Sequence, residues 1–328
     1  MTPVGCGAIV SRVYKTSGNN VSIRFVNFWK GFDPFNNFFV DLIEDSGFKV
    51  CVIESHSIKV DLEIVSVFSY RNRELLIKGG RKLLGLSNNP TYKNRLDHLT
   101  LPRRTNNSTR RIWYTGENAR VPFEADFDGY LSFDPSDEIL RNAYLPLWML
   151  SVGWFSKSPN LIRLGIQTHV TDLISGRKMM KSKDRMICAF VGNPEPVRLR
   201  TIQELSNVCK VDLFGSYYGN FVKNKYDVAS EYRFSVAFEN DLYPGYVTEK
   251  IVESYLSLNV PIYRGIFDPR SEIRFNPEAF INIDNFQNTS ELSEFVLSMT
   301  EREYDRMYSQ PLLFEIPNLE NIKRILFD

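Results

Sequence analysis

Apolar positions along the first half of the chain alternate between two periods. "VSIRFVNFW" (21–29), "FKVCVIES" (48–55) and "VDLEIVSVFS" (60–69) carry short apolar runs or period-two alternation and predict strands. Between the first two, "PFNNFFVDLIEDSG" (34–47) places Phe35, Phe38, Phe39, Leu42 and Ile43 at helical spacing and ends on Gly47, so a helix is expected there. "ELLIKGGRKLLGL" (74–86) gives no clear period. "RRIWYTGEN" (110–118) is an apolar strand that stops abruptly in polar residues, and "GYLSFDP" (129–135) repeats that strand-then-turn pattern. Strand and helix in alternation predict a parallel sheet covered on both faces.

The second half restarts the rhythm. "RMICAFVGN" (185–193), "KVDLFGS" (210–216), "FSVAFEN" (234–240) and "VPIYRG" (260–265) read as buried-type strands. "EPVRLRTIQELSNV" (195–208), with Ile202 and Leu205 on one face, and "TEKIVESYLSL" (248–258) read as helices. Residues 151–185 are irregular and basic, which suits a linker or a flap, and no fixed-period repeat or low-complexity tract is present. The expected organisation is an N-terminal α/β domain over 1–155, a second over 156–310, and a helical tail over 311–328. That tail has an apolar face of Leu319, Ile322, Ile325 and Leu326 that fits either domain.

Composition narrows the class. Among 328 residues, 43% are hydrophobic and 24% charged, which is globular rather than disordered. Forty basic against 39 acidic residues leave a net charge of +1, so there is no global pull toward nucleic acid or a membrane surface. The basic clusters Arg103-Arg104 with Arg110-Arg111, and "RKMMKSKDR" (177–185), read as solvated loops, with an RNA- or DNA-binding segment as the alternative for the second. Cys6, Cys51, Cys188 and Cys209 are widely spaced, as are His56, His98 and His169, so neither a disulfide framework nor a metal-ligand pattern is expected and a reducing compartment fits. No run reaches the ~20 apolar residues of a membrane span, and the first residues do not form a charged-then-apolar leader. Asn20, Asn107 and Asn288 open N-x-Ser/Thr triplets that arise by chance at this length.

The candidate chemistry gathers where one strand hands over to a helix, in "FSVAFENDLYPGYVTEKIVESYLSLNVPIYRG" (234–265). Ile251, Val252, Tyr255, Leu256 and Leu258 form an apolar stripe, and Thr248 is a natural N-cap. Glu249 and Lys250 then fall in the first turn. A helix N-terminus carries free N–H groups and partial positive charge, so a lysine there makes sense if an anion docks beside it. A diphosphate fits, and Glu239-Asn240, at the carboxyl end of a strand, would face the same crevice. Glu249 has the two acceptor oxygens needed for a ribose diol. By spacing alone, these residues also read as an ordinary exposed turn.

A second acidic group lies in "WYTGENARVPFEADFDGYLSFD" (113–134). Glu117 follows a strand through Gly116 and has the chemistry of a general base, or of a plain turn carboxylate. Asp126-x-Asp128 matches a short cation-binding pattern and equally a simple turn before Gly129.

Taken together, these segments resemble the α1,3/4-fucosyltransferases of glycosyltransferase family 10, in their bacterial form. The resemblance rests on "FEN…YVTEK…VPIYRG", on "YTGEN" (114–118) followed by "FDGYLSFDPSDEILRNAYLPLWM", on "FVGNPEPVRLRTIQEL" with Arg198, and on "NFVKNKYDVASEYRFSVAFEN" with Lys223 and Lys225. It covers about 110–150 and 186–265 and only loosely 1–109. It implies a GT-B fold, two Rossmann-like domains across a cleft, and an inverting transfer of L-fucose from GDP-β-L-fucose. The acceptor implied is a GlcNAc or Glc hydroxyl of an N-acetyllactosamine-type glycan, joined α1,3 or α1,4. Carried over residue by residue, the resemblance makes Glu117 the base and sets Arg198 and Lys250 on the diphosphate. Glu249 holds the ribose, Asn240 and Tyr246 line the donor pocket with Lys225, and Glu239 shapes the charge about the fucose.

The resemblance further implies that no cofactor is required, a divalent metal at most stimulating, with a cytoplasmic location and peripheral attachment to the inner membrane face left open. Arg264 stands where the family often has Trp, and the sequence diverges after Gly265, which bears on donor or acceptor fit. Neither the heptad-like tail of some bacterial members nor the C-terminal cysteine pairs of animal members is present. The alternatives are a transferase for another nucleotide sugar, metal-dependent through Asp126 and Asp128, or a catalytically silent carbohydrate-binding relative.

Overall fold

A computed structural model of the chain describes residues 19–68, 108–117, 119, 121, 126–155, 167–178 and 182–328. Cys6, the run "ELLIKGGRKLLGL", His98, Arg103-Arg104, Asn107 and Asn118 lie outside those residues. The chain divides into two compact units, Met1–Pro146 with Asn318–Asp328, and Leu147–Pro317. The sequence reading divides it at 155/156 and keeps 311–328 as one tail. In the structure, Leu312 and Leu313 are buried in the second unit, where the Leu313 N–H reaches the Leu173 carbonyl, while the terminal helix Glu320–Phe327 packs in the first.

In the first unit, strands β1 (Asn20–Val26), β2 (Lys49–Val52), β3 (Leu62–Val65), β4 (Arg110–Tyr114), β5 (Gly129–Ser132) and β6 (Asn142–Tyr144) form one sheet. The order is β2-β1-β3-β4-β5-β6 and every pairing is parallel. A parallel sheet is covered on both faces, which explains why β3 is buried along its whole length. Helix α1 (Phe38–Asp45) is capped by Asn37, whose side chain accepts from the N–H groups of Phe39 and Val40. That cap starts the helix later than the apolar spacing predicts, and Phe35 is left outside it at 60% exposure. The terminal helix lies along β5 and β6. Its Ile325 carbonyl accepts from Arg110 Nε (3.1 Å) and Nη2 (2.6 Å), and Phe327 stacks on Phe48.

The second unit opens with a 3-10 turn, Leu147–Ser151, and the short helix α2 (Thr171–Ile174). Its strands are β7 (Arg185–Phe190), β8 (Val211–Phe214), β9 (Tyr232–Phe238), β10 (Val260–Arg264) and β11 (Ile281–Asn282), in the order β11-β10-β9-β7-β8, again all parallel. Helices α3 (Pro196–Val208), α4 (Lys225–Ala229), α5 (Glu249–Leu256), α6 (Thr289–Ser298) and α7 (Glu301–Tyr308) complete it. Ile187, Phe234, Phe238 and Ile262 from the sheet pack with Ile202, Leu205, Leu292, Val296 and Tyr304 from the helices in one core. The connection after β7 runs outward to β8, and the next returns across β7 to β9. The strand order therefore reverses between β7 and β9, and in open α/β sheets the crevice beyond such a pair is the usual ligand position.

In the basic stretch 177–185, Lys178, Asp184 and Arg185 are exposed as a solvated loop would have them, but Arg177 and Lys183 are not. The Arg177 guanidinium sits 3.7 Å from the centre of the Tyr255 ring and 4.3 Å from that of Tyr308. It donates to the carbonyls of Tyr308, Tyr255 and Asn259. Lys183 donates to the carbonyls of Tyr232 and Leu258. These cations are spent inside the unit, which removes them from any nucleic-acid surface. No helix among the described residues is long and apolar enough to cross a membrane.

Candidate active site

The carboxyl end of β9 continues into Glu239 and Asn240, then a Pro-Gly loop, then α5. Helix α5 ends at Leu256, because Ser257 caps it and Leu258 turns left-handed at φ 64°. Leu258 therefore leaves the expected stripe, while Ile251, Val252, Tyr255 and Leu256 keep it. Glu239 has a side chain with 0% exposure. A buried carboxylate must be paired and hydrogen-bonded, and this one is. Its Oε1 accepts from the Thr248 N–H (2.8 Å) and the Tyr263 hydroxyl (3.3 Å), and its Oε2 accepts from the Thr248 hydroxyl (2.6 Å) and Lys250 Nζ (3.1 Å).

Thr248 occupies the N-cap position but makes no side-chain cap bond, contrary to the expected role of its hydroxyl. That hydroxyl is turned to Glu239 and also accepts from Lys250 Nζ at 2.8 Å. The opening N–H groups of α5 are thereby left without their usual side-chain cap, the condition in which a helix end binds an anion. The lysine in the first turn thus has a partner from its own chain. Burial pulls its pKa down, but the Glu239 and Glu249 carboxylates outweigh that and hold it above the ordinary 10.5. With Glu239 fully enclosed, these residues are not an ordinary exposed turn.

The strand on the other side of the reversal, β7, delivers the second half. After Phe190 the chain turns through Val191–Glu195 into α3. Glu195 caps that helix, accepting from the N–H groups of Val197 (3.1 Å) and Arg198 (2.7 Å), with Pro196 at its first position. Arg198 is buried and donates to the Asn193 carbonyl at 3.2 Å and to the Asn240 side-chain oxygen. One guanidinium therefore ties the loop after β7 to the loop after β9. Its Nε is buried with no hydrogen-bond partner in the structure. Burial lowers the Arg198 pKa, against Glu239, Glu195, Tyr246 and Glu249, which raise it. Glu239, Glu195, Tyr246 and Glu249 are thus within electrostatic reach of Arg198.

A glycine lets the turn after β8 pack closely on the loop after β7. Gly215, at φ 107° just past β8, lies against the Val191 backbone, where a Cβ would meet the Val191 oxygen at 2.4 Å. Lys225, expected to line the same pocket, is engaged at the elements that frame it. It pairs with Glu253 on α5 and lies 5.3 Å from the centre of the Phe190 ring. Glu195, Asn193 and Tyr263 join the site without having been singled out, and Thr248, expected only as an N-cap, joins it as a partner of Glu239. "NPEP" before an apolar-periodic run is a helix-start signature that points to Glu195. A tyrosine in an apolar strand gives no comparable signal.

Glu117 belongs to the first unit, just beyond β4. It is half-buried, and its carbonyl accepts from the Thr115 hydroxyl (2.8 Å) and the Ala119 N–H (2.6 Å) in a tight turn. Asp128 accepts from the Arg111 N–H at 2.7 Å and so ties the start of β5 to β4, while Asp126 is exposed. Among the described residues no group of three or more His, Cys, Asp and Glu side chains has the arrangement of a metal site.

These features define a cradle for an anion at the strand-order reversal of the second unit, and comparison with known proteins gives it a lineage. Residues 180–312 match the family described as "Glycosyltransferase family 10 (fucosyltransferase) C-term". This region is thus similar to the family 10 glycosyltransferase domain. Over 231 residues, 62% of this chain, the sequence is 31% identical to the Helicobacter pylori protein named alpha-(1,3)-fucosyltransferase FucT. It is 30% identical over 119 residues to the Mus musculus 4-galactosyl-N-acetylglucosaminide 3-alpha-L-fucosyltransferase 9. The chain spans 48% of the length of the first of these relatives and 33% of the second. A crystal structure of α1,3-fucosyltransferase with GDP-fucose superimposes with a TM-score of 0.62 at 21% identity, over 97% of this chain and 94% of that one. Another, with GDP, gives 0.63 at 23% identity, over 96% and 92%. The likeness shows the fold class, GT-B with two Rossmann-like α/β units, as the family resemblance implied.

Proposed function

We propose that this chain is a family 10 glycosyltransferase, a GDP-fucose-dependent α1,3-fucosyltransferase. The observation that carries the proposal is the buried Arg198 bridging to Asn240 beside the Glu239–Lys250 pair, at the point where the strand order reverses. In this reading the diphosphate lies against Arg198, Lys250 and the uncapped start of α5. Glu249 takes the ribose hydroxyls, and Tyr246 and Asn240 close the pocket. Glu239 acts through Lys250 and Thr248 rather than by touching the sugar. Lys225 contributes through α5, by way of Glu253.

The chemistry is an inverting displacement. The acceptor oxygen forms a bond to the fucose anomeric carbon as the bond from that carbon to the phosphate oxygen breaks, and GDP leaves with the electron pair. Positive charge develops on the ring and negative charge on the phosphate. Preorganised donors at Arg198, Lys250 and the helix end stabilise the latter. Glu117 takes the acceptor's proton, a role worth about 10²–10⁴-fold in rate. These cations do the work a divalent metal does elsewhere, and Asp128 is already committed to the Arg111 N–H. No cofactor is required in this reading. The acceptor is an N-acetylglucosaminide, the class in the mouse relative's name. A cytoplasmic site fits the free thiols of Cys51, Cys188 and Cys209.

The test is incubation with GDP-fucose and Galβ1,4GlcNAc- and Galβ1,3GlcNAc-type acceptors, with and without chelator, read by mass spectrometry. Addition of one deoxyhexose, unchanged by chelator, is expected. No transfer to any acceptor, or transfer from a different nucleotide sugar only, would refute the assignment.

A further inference from the structure

The ammonium of Lys250 points where it does because of a residue that cannot reach a ligand itself. Glu239 is fully enclosed, and three groups fix its two oxygens besides Lys250: the Thr248 N–H, the Thr248 hydroxyl and the Tyr263 hydroxyl. The first two belong to the same turn as Lys250. The Tyr263 hydroxyl comes from β10, the neighbouring strand, and is the one tie to Glu239 in this set that comes from outside the β9–α5 connection.

The Tyr263 ring has no freedom to arrive from elsewhere. It is fully buried, stacked on Phe267 at 5.3 Å between ring centres and edge-on to Phe280 at 5.9 Å. Its hydroxyl end occupies the space in front of Gly265. A Cβ at Gly265 would lie 2.2 Å from the Tyr263 oxygen, 2.5 Å from Cζ and 2.9 Å from Cε1. These are distances that real contacts do not reach, so either the ring or the backbone must move. Gly265 is not in a left-handed conformation; it is required here for room. The backbone around it is also tied to the site. The Glu239 N–H donates to the Arg264 carbonyl, and the Gly245 N–H to that of Ile266, each at 2.8 Å.

We infer that Tyr263 and Gly265 are positioning residues for the anion-binding lysine. Gly265 supplies the volume in which the Tyr263 hydroxyl grips Glu239, and Glu239 so held aims Lys250 at the diphosphate. The inference rests on the reading that this site binds a nucleoside diphosphate. Lys250 has three N–H donors, and its bonds to Glu239 and Thr248 account for two of them. The third is the one whose direction depends on the network.

The experiment is calorimetric binding of GDP and of guanosine to wild type, Tyr263→Phe, Gly265→Ala and the double variant, with donor and acceptor KM measured alongside and thermal melts confirming folding. Losing one neutral-to-charged hydrogen bond at a distance is expected to weaken GDP binding about three- to tenfold in Tyr263→Phe. Guanosine affinity and acceptor KM should not change, because neither uses Lys250. Gly265→Ala should weaken GDP at least as much, and the double variant should fall short of the product of the two, since both act through one hydroxyl. Equal loss of GDP and guanosine binding, or unchanged GDP binding in a folded Tyr263→Phe, overturns the inference while leaving the donor assignment intact. Failure of the wild type to bind GDP sinks both. If Tyr263→Phe does not fold, Gly265→Ala tested against Gly265→Ser decides: unaltered GDP affinity in either folded protein overturns the inference.

Discussion

Charge at single residues sets the behaviour of this site. Lys250 stands where helix electrostatics disfavours a cation, and Glu239 reverses that preference. Lys250→Met leaves a fully buried carboxylate without its cation and should cost about 3 kcal/mol of stability. The sign of the pH dependence follows from the raised lysine pKa. The stabilisation is complete below the ordinary value of 10.5 and is lost as pH rises through the higher folded value. Denaturant unfolding of wild type and Lys250→Met should therefore differ by a constant amount between about pH 7 and 9, and the two should converge in more alkaline solution. A gap that widens with rising pH would contradict the pairing. Glu117 is tested differently. Glu117→Gln is expected to lower kcat at least about a hundredfold while GDP affinity is kept, because it removes a base and no donor contact. Steady-state rates with calorimetry check this. A variant of undiminished kcat would take the base role away from Glu117.

At the scale of elements, strand register carries a charge pattern. Arg24 on β1, Glu63 on β3 and Arg111 on β4 are direct cross-strand neighbours in the parallel ladder, and all three are buried. Glu63 accepts from Arg24 at 3.3 Å and from Arg111 at 2.9 Å. A one-residue slip of β3 would turn Glu63 to the other face and strand both arginines. Glu63→Ala should thus destabilise the chain by about 3–5 kcal/mol, read from urea unfolding, since it leaves two guanidinium groups buried together. Stability within about 1 kcal/mol of wild type would mean that solvent relieves the charges. In the second unit, Thr300 and Glu303 form a reciprocal capping box at the start of α7. Thr300→Ala should cost about 1 kcal/mol and leave GDP binding unchanged, a control for variants in the site.

For the whole molecule, the assigned roles fall in different units: Glu117 in the first, and Arg198, Asn240, Glu249 and Lys250 in the second. Substitutions should sort accordingly. Arg198→Gln removes a charge-assisted donor and is expected to raise donor KM about tenfold or more, whereas changes at Glu117 move kcat with donor KM nearly constant. Initial-rate kinetics separate the two. An Arg198 variant with unaltered donor KM would place the diphosphate elsewhere.

Local pattern already contains the two α/β rhythms, most of the strands, the helices α1, α3, α5 and the terminal one, and the turn where Glu239, Asn240, Glu249 and Lys250 gather. Apolar periodicity and cap chemistry act over a few residues, so a single chain displays them directly. What those residues touch is set by the folded chain. Thr248 faces Glu239, nine residues back, instead of capping its helix. Arg177 is enclosed by tyrosines 78 and 131 positions away, although a basic run usually lies in solvent. Tyr263 reads as one more apolar strand residue until β10 lies beside β9 and its hydroxyl meets a buried carboxylate. Helices α6 and α7, in a stretch where no element was read, take their faces from packing on a sheet assembled from distant segments. Long-range contacts are chosen by the closed fold as a whole, and local pattern carries no trace of them.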